Sequence, residues 1–112
     1  MSAAHYKLDN LTVIIDRNHL SYDGDTEEIM AIDNLADKMK AFNWYVSSVN
    51  GHDTFELLGA FADTKTGLPH IIIADTIKGK GVSFIEGRPE WHHHRLSEKE
   101  YEQAKQEVLQ GD

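Results

Sequence analysis

Three places in the sequence carry residue types that could do chemistry. The first is Asn18-His19-Leu20, a polar turn after a dense apolar run. A turn of this kind can bring an amide oxygen and a backbone carbonyl to one point, and hard cations such as Mg²⁺ accept such ligands alongside phosphate oxygens and water. An ordinary Asx turn after a strand accounts for the same residues. The second is Lys78-Gly79-Lys80-Gly81. Its glycines permit close backbone approach and its lysines are point charges suited to phosphate. The spacing and the missing Ser/Thr exclude a P-loop, and a solvated turn is the competing reading. The third is Trp91-His92-His93-His94. Adjacent side chains rarely converge on one ion, and no other His or carboxylate is spaced as a zinc motif requires. One functional histidine with two solvated neighbours suits the run better. The residues alone describe a phosphate- or metal-binding α/β module.

The positioning elements follow from periodicity. Leu11–Ile15 is an apolar run that reads as a strand buried on both faces, and Asp16–Leu20 as the turn at its carboxyl end, where open α/β sheets bind ligands. Before it, Ser2–Leu8 reads as the last turns of a helix, with Lys7 in its final turn. Thr26-Glu27-Glu28 can cap a short turn. Ile32, Leu35, Ala36 and Met39 recur at helical spacing and predict a helix over about Ile32–Phe42, ended by Asn43. Trp44–Val49 alternates as a strand. Asp53 and Glu56 form a capping-box pattern. Phe55, Leu58, Phe61 and Ala62 give the helix after it an apolar stripe, and Gly67 stops it. His70–Asp75 is a third, apolar strand. Val82–Trp91 has no clear period. Ser97 and Glu100 form a second capping box, and Tyr101, Ala104 and Val108 mark a C-terminal helix facing something apolar. This order predicts an α/β fold, a partial doubly wound parallel sheet of about three strands with flanking helices, whose edges pair with something else.

At 112 residues the chain is one domain at most. A net charge of -8 argues against nucleic-acid binding. No apolar run approaches the ~20 residues of a membrane helix, and without cysteine there is no thiolate chemistry. The N-terminus lacks signal-peptide blocks, so a cytoplasmic location is expected.

The runs AAHYKLDNLTVIIDRNHLSYDG, TEEIM, LADKMKAFNWYV, NGHD, TIKGKGVSFIEG and EWH together resemble the later part of the N-terminal, diphosphate-binding domain of transketolase. The similarity is collinear and covers residues 1–112. It implies thiamine diphosphate and Mg²⁺ as cofactors, and two-carbon ketol transfer between sugar phosphates, in the pentose phosphate pathway, as the activity of a complete enzyme. Asn18 matches the asparagine closing the family's GDG…N motif and would bind Mg²⁺ through its side chain. Leu20 matches the residue offering a backbone carbonyl to the same ion. Tyr22 stands where an aliphatic residue usually touches the cofactor. Lys78 matches a lysine close to the diphosphate, and His92 the histidine that contacts cofactor phosphate and the substrate's reacting end.

The departures from the family pattern are specific. The GDG segment and its metal-binding aspartate are absent from these residues, as are the earlier substrate histidines and the pyrimidine-binding domain. His93 replaces a common glycine, Asp25 a common proline, and Asp75 stands where His or Lys is typical. The chain is therefore expected to hold about half of one cofactor subsite, in a family whose active sites form across two chains. It is also expected to be a fragment, without turnover by itself. Alternatively it is an interaction subunit that completes a split transketolase in trans, docking a partner chain that carries the missing parts. A related thiamine enzyme, such as deoxyxylulose-phosphate synthase or a dehydrogenase component, is a further reading, and an independent His-rich metal protein the remaining one.

Overall fold

Strand β5, His70–Asp75, lies between two parallel neighbours, β1 (Thr12–Arg17) and β4 (Tyr45–Asn50), in the sheet order β1-β5-β4. The computed structural model describes residues Met1–Gly111, which divide into two compact units. The first comprises Met1–Arg17 with Ile32–Thr76, and the second Asn18–Ala31 with the residues from Ile77 onward. Among the described residues no helix is long and apolar enough to cross a membrane.

The first unit holds the sheet. Ile71 and Ile72 of β5 are almost fully buried, with Ile73 and Ala74 close behind. Full burial of each isoleucine contributes roughly 1.5–3 kcal/mol. Strand β1 connects to β4 through α3 (Leu35–Ala41), and β4 returns through α4 (Thr54–Ala62) to β5 between them. The two crossovers run in opposite directions, and right-handed parallel connections then require helices on opposite faces. This is the doubly wound pattern expected from the apolar runs.

Several expectations need correction. Strand β1 is an edge strand rather than one buried on both faces: Thr12, Ile14 and Asp16 are exposed, Ile14 by 52%. It also runs on through Arg17, which is buried and paired with Asp33 at 3.3 Å. The initial helix is only Ser2–His5 (α1), and Lys7 lies beyond it at φ 51. Helix α3 starts at Leu35, not Ile32, because Asn34 caps it and the Lys38 amine bonds the carbonyls of Ile32 and Asp33. Phe42 closes this helix and Asn43 adopts φ 60, so the stop is where the sequence placed it. Helix α4 ends at Ala62, before Gly67. Asp53 caps it through the N–H groups of Phe55 and Glu56, but Glu56 reaches back to the Asn50 N–H, so the reciprocal half of the box is not made. Its inward residue is the buried Ala60, and the predicted apolar stripe faces outward instead.

The second unit contains a two-residue hairpin that the sequence reading missed. Strands β2 (Leu20–Ser21) and β3 (Gly24–Asp25) pair antiparallel. Helix α2 (Thr26–Ile29) follows, capped by Asp25 rather than by Thr26. The stretch without a period folds as successive turns and then a 3-10 helix, Pro89–His92. Helix α5 (Glu98–Gln110) begins with the complete Ser97–Glu100 capping box. Its predicted inward face is half open, with Tyr101 and Val108 more than half exposed.

His70 sets a pH dependence. Its side chain is 1% exposed, its Nε2 lies 2.8 Å from Ser47 Oγ, and its buried Nδ1 has no hydrogen-bond partner among the described residues. Burial holds its pKa below the usual 6.5, partly offset by the Asp63 carboxylate. With the folded pKa depressed, the unfolded state binds more protons below pH 6.5. Stability is therefore full above that value and is lost as pH falls through it toward the folded-state pKa. Urea unfolding from about pH 8 to about pH 5 is expected to show a midpoint that drops on the acid side. The slope should shrink in a His70→Phe variant; an equal slope in both proteins would contradict this assignment.

Candidate functional site

The five residues singled out from the sequence, Asn18, Leu20, Tyr22, Lys78 and His92, all belong to the second unit. Asn18 is the first residue after β1, and Lys78 the third after β5. By connectivity, both leave the carboxyl ends of adjacent parallel strands, the end at which such sheets place ligands.

Asn18 and Leu20 are brought together by an unusual backbone. His19 between them takes φ 60, a left-handed conformation that costs a residue with a Cβ roughly 1–2 kcal/mol. The turn is closed by the Leu20 N–H, which donates to Asn18 Oδ1 at 3.0 Å. His19 in turn offers its carbonyl to the Thr26 N–H at 2.9 Å and to the Thr26 hydroxyl at 3.2 Å. Leu20 faces Asp25 one step along the same ladder. Bonded and non-bonded pairs alternate in an antiparallel ribbon, so Leu20 and Asp25 form a non-bonded pair and the polar backbone groups of Leu20 point away from β3. Since the Leu20 N–H lies on the Asn18 amide oxygen, the Leu20 carbonyl shares that flank of the hairpin. The Asn18 oxygen keeps a second lone pair. The Asx turn that the sequence offered as the ordinary reading of these residues is present. Thr26, read only as a cap, is the residue that sequence reasoning missed at this point. Its partner lies seven positions away, beyond any local motif.

Lys78 sits in a closed loop. The Gly87 N–H donates to its carbonyl at 2.9 Å, and Gly79 at φ 70 packs so closely that a Cβ would lie 2.4 Å from Ile85 Cγ2. From α5, Glu107 accepts from the Ser83 N–H at 2.6 Å and from its hydroxyl at 2.9 Å. Hydrogen bonds from Gln103 and then Ser83 hold the Glu107 carboxyl below its usual range. Among the described residues no hydrogen bond or ion pair engages the Lys78 amine.

The three histidines diverge. Trp91 lies between Phe84, with centroids 5.3 Å apart, and His94, at 4.5 Å. His92 and His93 instead meet Tyr22, at 5.9 and 5.6 Å. Among the described residues no group of three or more His, Cys, Asp or Glu could hold a metal. The His-rich metal reading therefore has no geometric support.

The chain matches the family described as transketolase, thiamine diphosphate binding domain, over residues 1–110. It is 43% identical over 110 residues to one subunit of the apulose-4-phosphate transketolase of Phocaeicola vulgatus, covering 96% of this chain and 39% of that protein. It is 40% identical over 110 residues to 6-deoxy-6-sulfo-D-fructose transketolase subunit SqwG of Clostridium sp., covering 96% of this chain and 40% of that one. Human transketolase is 37% identical over 106 residues, covering 95% of this chain and 17% of its own. Among solved structures, Campylobacter jejuni transketolase superposes with a TM-score of 0.88 at 33% identity, covering 96% of this chain and 17% of its own. Leishmania mexicana transketolase gives 0.86 at 28% identity, covering 96% and 16%. The chain thus spans about two fifths of the length of the subunit relatives it matches. These 112 residues belong to the transketolase family, in its thiamine diphosphate binding domain.

Proposed function

We propose that this chain supplies the cation-and-diphosphate half of a transketolase active site, within an enzyme that moves a two-carbon ketol unit between sugar phosphates. The observation that carries the reading is the Leu20 N–H donated to Asn18 Oδ1, since strand alternation then puts the Leu20 carbonyl on the same flank. Two neutral, hard oxygens suit Mg²⁺, which completes its octahedron with phosphate oxygens, water and usually a carboxylate. Lys78, with its amine unengaged, adds a point charge for the diphosphate. Both cations are needed, because a chain of net charge -8 otherwise repels the ligand. Tyr22 packs against the cofactor. His92 donates a hydrogen bond to developing charge, or moves a proton, at the reacting end of the substrate. When bound, the thiamine ring supplies the carbanion stabilisation that no side chain here offers.

Calorimetric titration of the chain with thiamine diphosphate tests this. Binding is expected to require Mg²⁺. It should weaken about tenfold or more, roughly 1.4 kcal/mol, in Asn18→Ala and by a similar factor in Lys78→Ala. Binding that is equal in EDTA, or unchanged in Asn18→Ala, would contradict the reading.

A second reading, an interaction subunit completing a split transketolase in trans, is favoured by the outer face of α4. Phe55 is 87% exposed, Leu58 61% and Phe61 47%. Apolar surface of this kind marks a partner site, and two of the relatives are named as transketolase subunits. The double substitution Phe55→Ser, Leu58→Ser is expected to abolish co-purification with a chain carrying the GDG segment and the pyrimidine-binding domain, with the fold retained. Failure of the unsubstituted chain to associate with such a chain would overturn it.

A further inference from the structure

His92 ends the 3-10 helix Pro89–His92 with its ring exposed. No hydrogen bond or ion pair holds that ring among the described residues. What it has is aromatic neighbours. Tyr22 meets it edge-on, with centroids 5.9 Å apart and planes at 85°. His93 lies 4.6 Å away at 74°. Tyr22 and His93 also touch, at 5.6 Å and 53°, so the three rings close a triangle built from two separate segments of the second unit.

Tyr22 is 64% exposed at the tip of the β2–β3 hairpin and therefore fills no core. Edge-to-face contacts are directional, because the positive edge of one ring meets the negative face of another. A ring with one such neighbour can still turn about its contact. With two neighbours that also touch each other, it has one favoured orientation. Local packing explains His94 in the same way, since Trp91 takes it out of the triangle. No such account removes His93, which turns toward Tyr22 rather than toward solvent alone.

We propose that Tyr22 and His93 are positioning residues for His92, holding its imidazole in a single rotamer and so aiming it. The aim has functional meaning only if His92 serves the cofactor and substrate as proposed above, and the inference rests on that reading. The chemistry asked of Tyr22 is that of its ring, not its hydroxyl, so phenylalanine should replace it. His93 acts as a second ring wall rather than as a proton carrier.

Nuclear magnetic resonance of the histidine-labelled chain tests this through the His92 ring protons. Tyr22→Ala and His93→Ala are each expected to shift those resonances and to weaken the remaining ring-to-ring cross-relaxation. Tyr22→Phe should restore the wild-type positions. Backbone amide signals away from the hairpin and the 3-10 helix report whether each variant stays folded, and if Tyr22→Ala does not, His93→Ala alone decides. His92 signals that ignore both alanine substitutions, or that move as far in Tyr22→Phe as in Tyr22→Ala, would overturn the proposal. A thiamine diphosphate titration separates the two claims. If the alanine variants behave as expected but the His92 signals never respond to the cofactor, the role given to His92 fails while its ring packing stands.

Discussion

The hydrogen bond from the Leu20 N–H to Asn18 Oδ1, closed around a left-handed His19, is the constraint on which the proposed cation site depends. Without it the amide oxygen of Asn18 is free to rotate and the Leu20 carbonyl has no fixed relation to it. With it, both oxygens lie on one flank of a short hairpin whose other ladder positions are occupied. Thr26 reinforces the arrangement by bonding the His19 carbonyl twice. The backbone energy spent at His19 is thus offset by three hydrogen bonds that each need that conformation.

In the proposed site, charge gives the remaining residues their roles. A diphosphate must be neutralised to bind an acidic chain, and oxygen ligands without charge leave the full strength of a divalent cation for it. In that proposal Lys78 would add a second positive group, on a loop braced by Gly79 against Ile85 and by Glu107 against Ser83. Bracing matters because an ion pair formed by a freely moving lysine gains little. Within the first unit, β5 is packed on both edges and carries the most buried side chains.

Much of this was legible in the residue types. The apolar run of β5, the Asn43 stop and the Ser97–Glu100 box are short-range signals, and each appears in the structure as read. The candidate residues Asn18 and Lys78 were singled out because they lie in polar runs that break sharply from the apolar strands just before them. What could not be read depended on neighbours far along the chain. Leu11–Ile15 has the composition of a doubly buried strand, yet its burial is decided by having one neighbouring strand rather than two. The stripe of Phe55, Leu58 and Phe61 has helical spacing, but spacing says nothing of which stripe meets the sheet, and Ala60 does so. The contact of Tyr22 with His92 and His93 joins positions with no local pattern between them.

The Asn18–Leu20 flank is proposed to hold a divalent cation beside the diphosphate. This is tested most directly by adding thiamine diphosphate with Mn²⁺ in place of Mg²⁺ to the ¹⁵N-labelled chain and mapping paramagnetic broadening. The Asn18 side-chain amide and the Leu20 backbone amide are expected to broaden first, with Lys78 next, and Asn18→Ala is expected to abolish the effect. Broadening centred on His92–His94, or unaltered by Asn18→Ala, would contradict the claim.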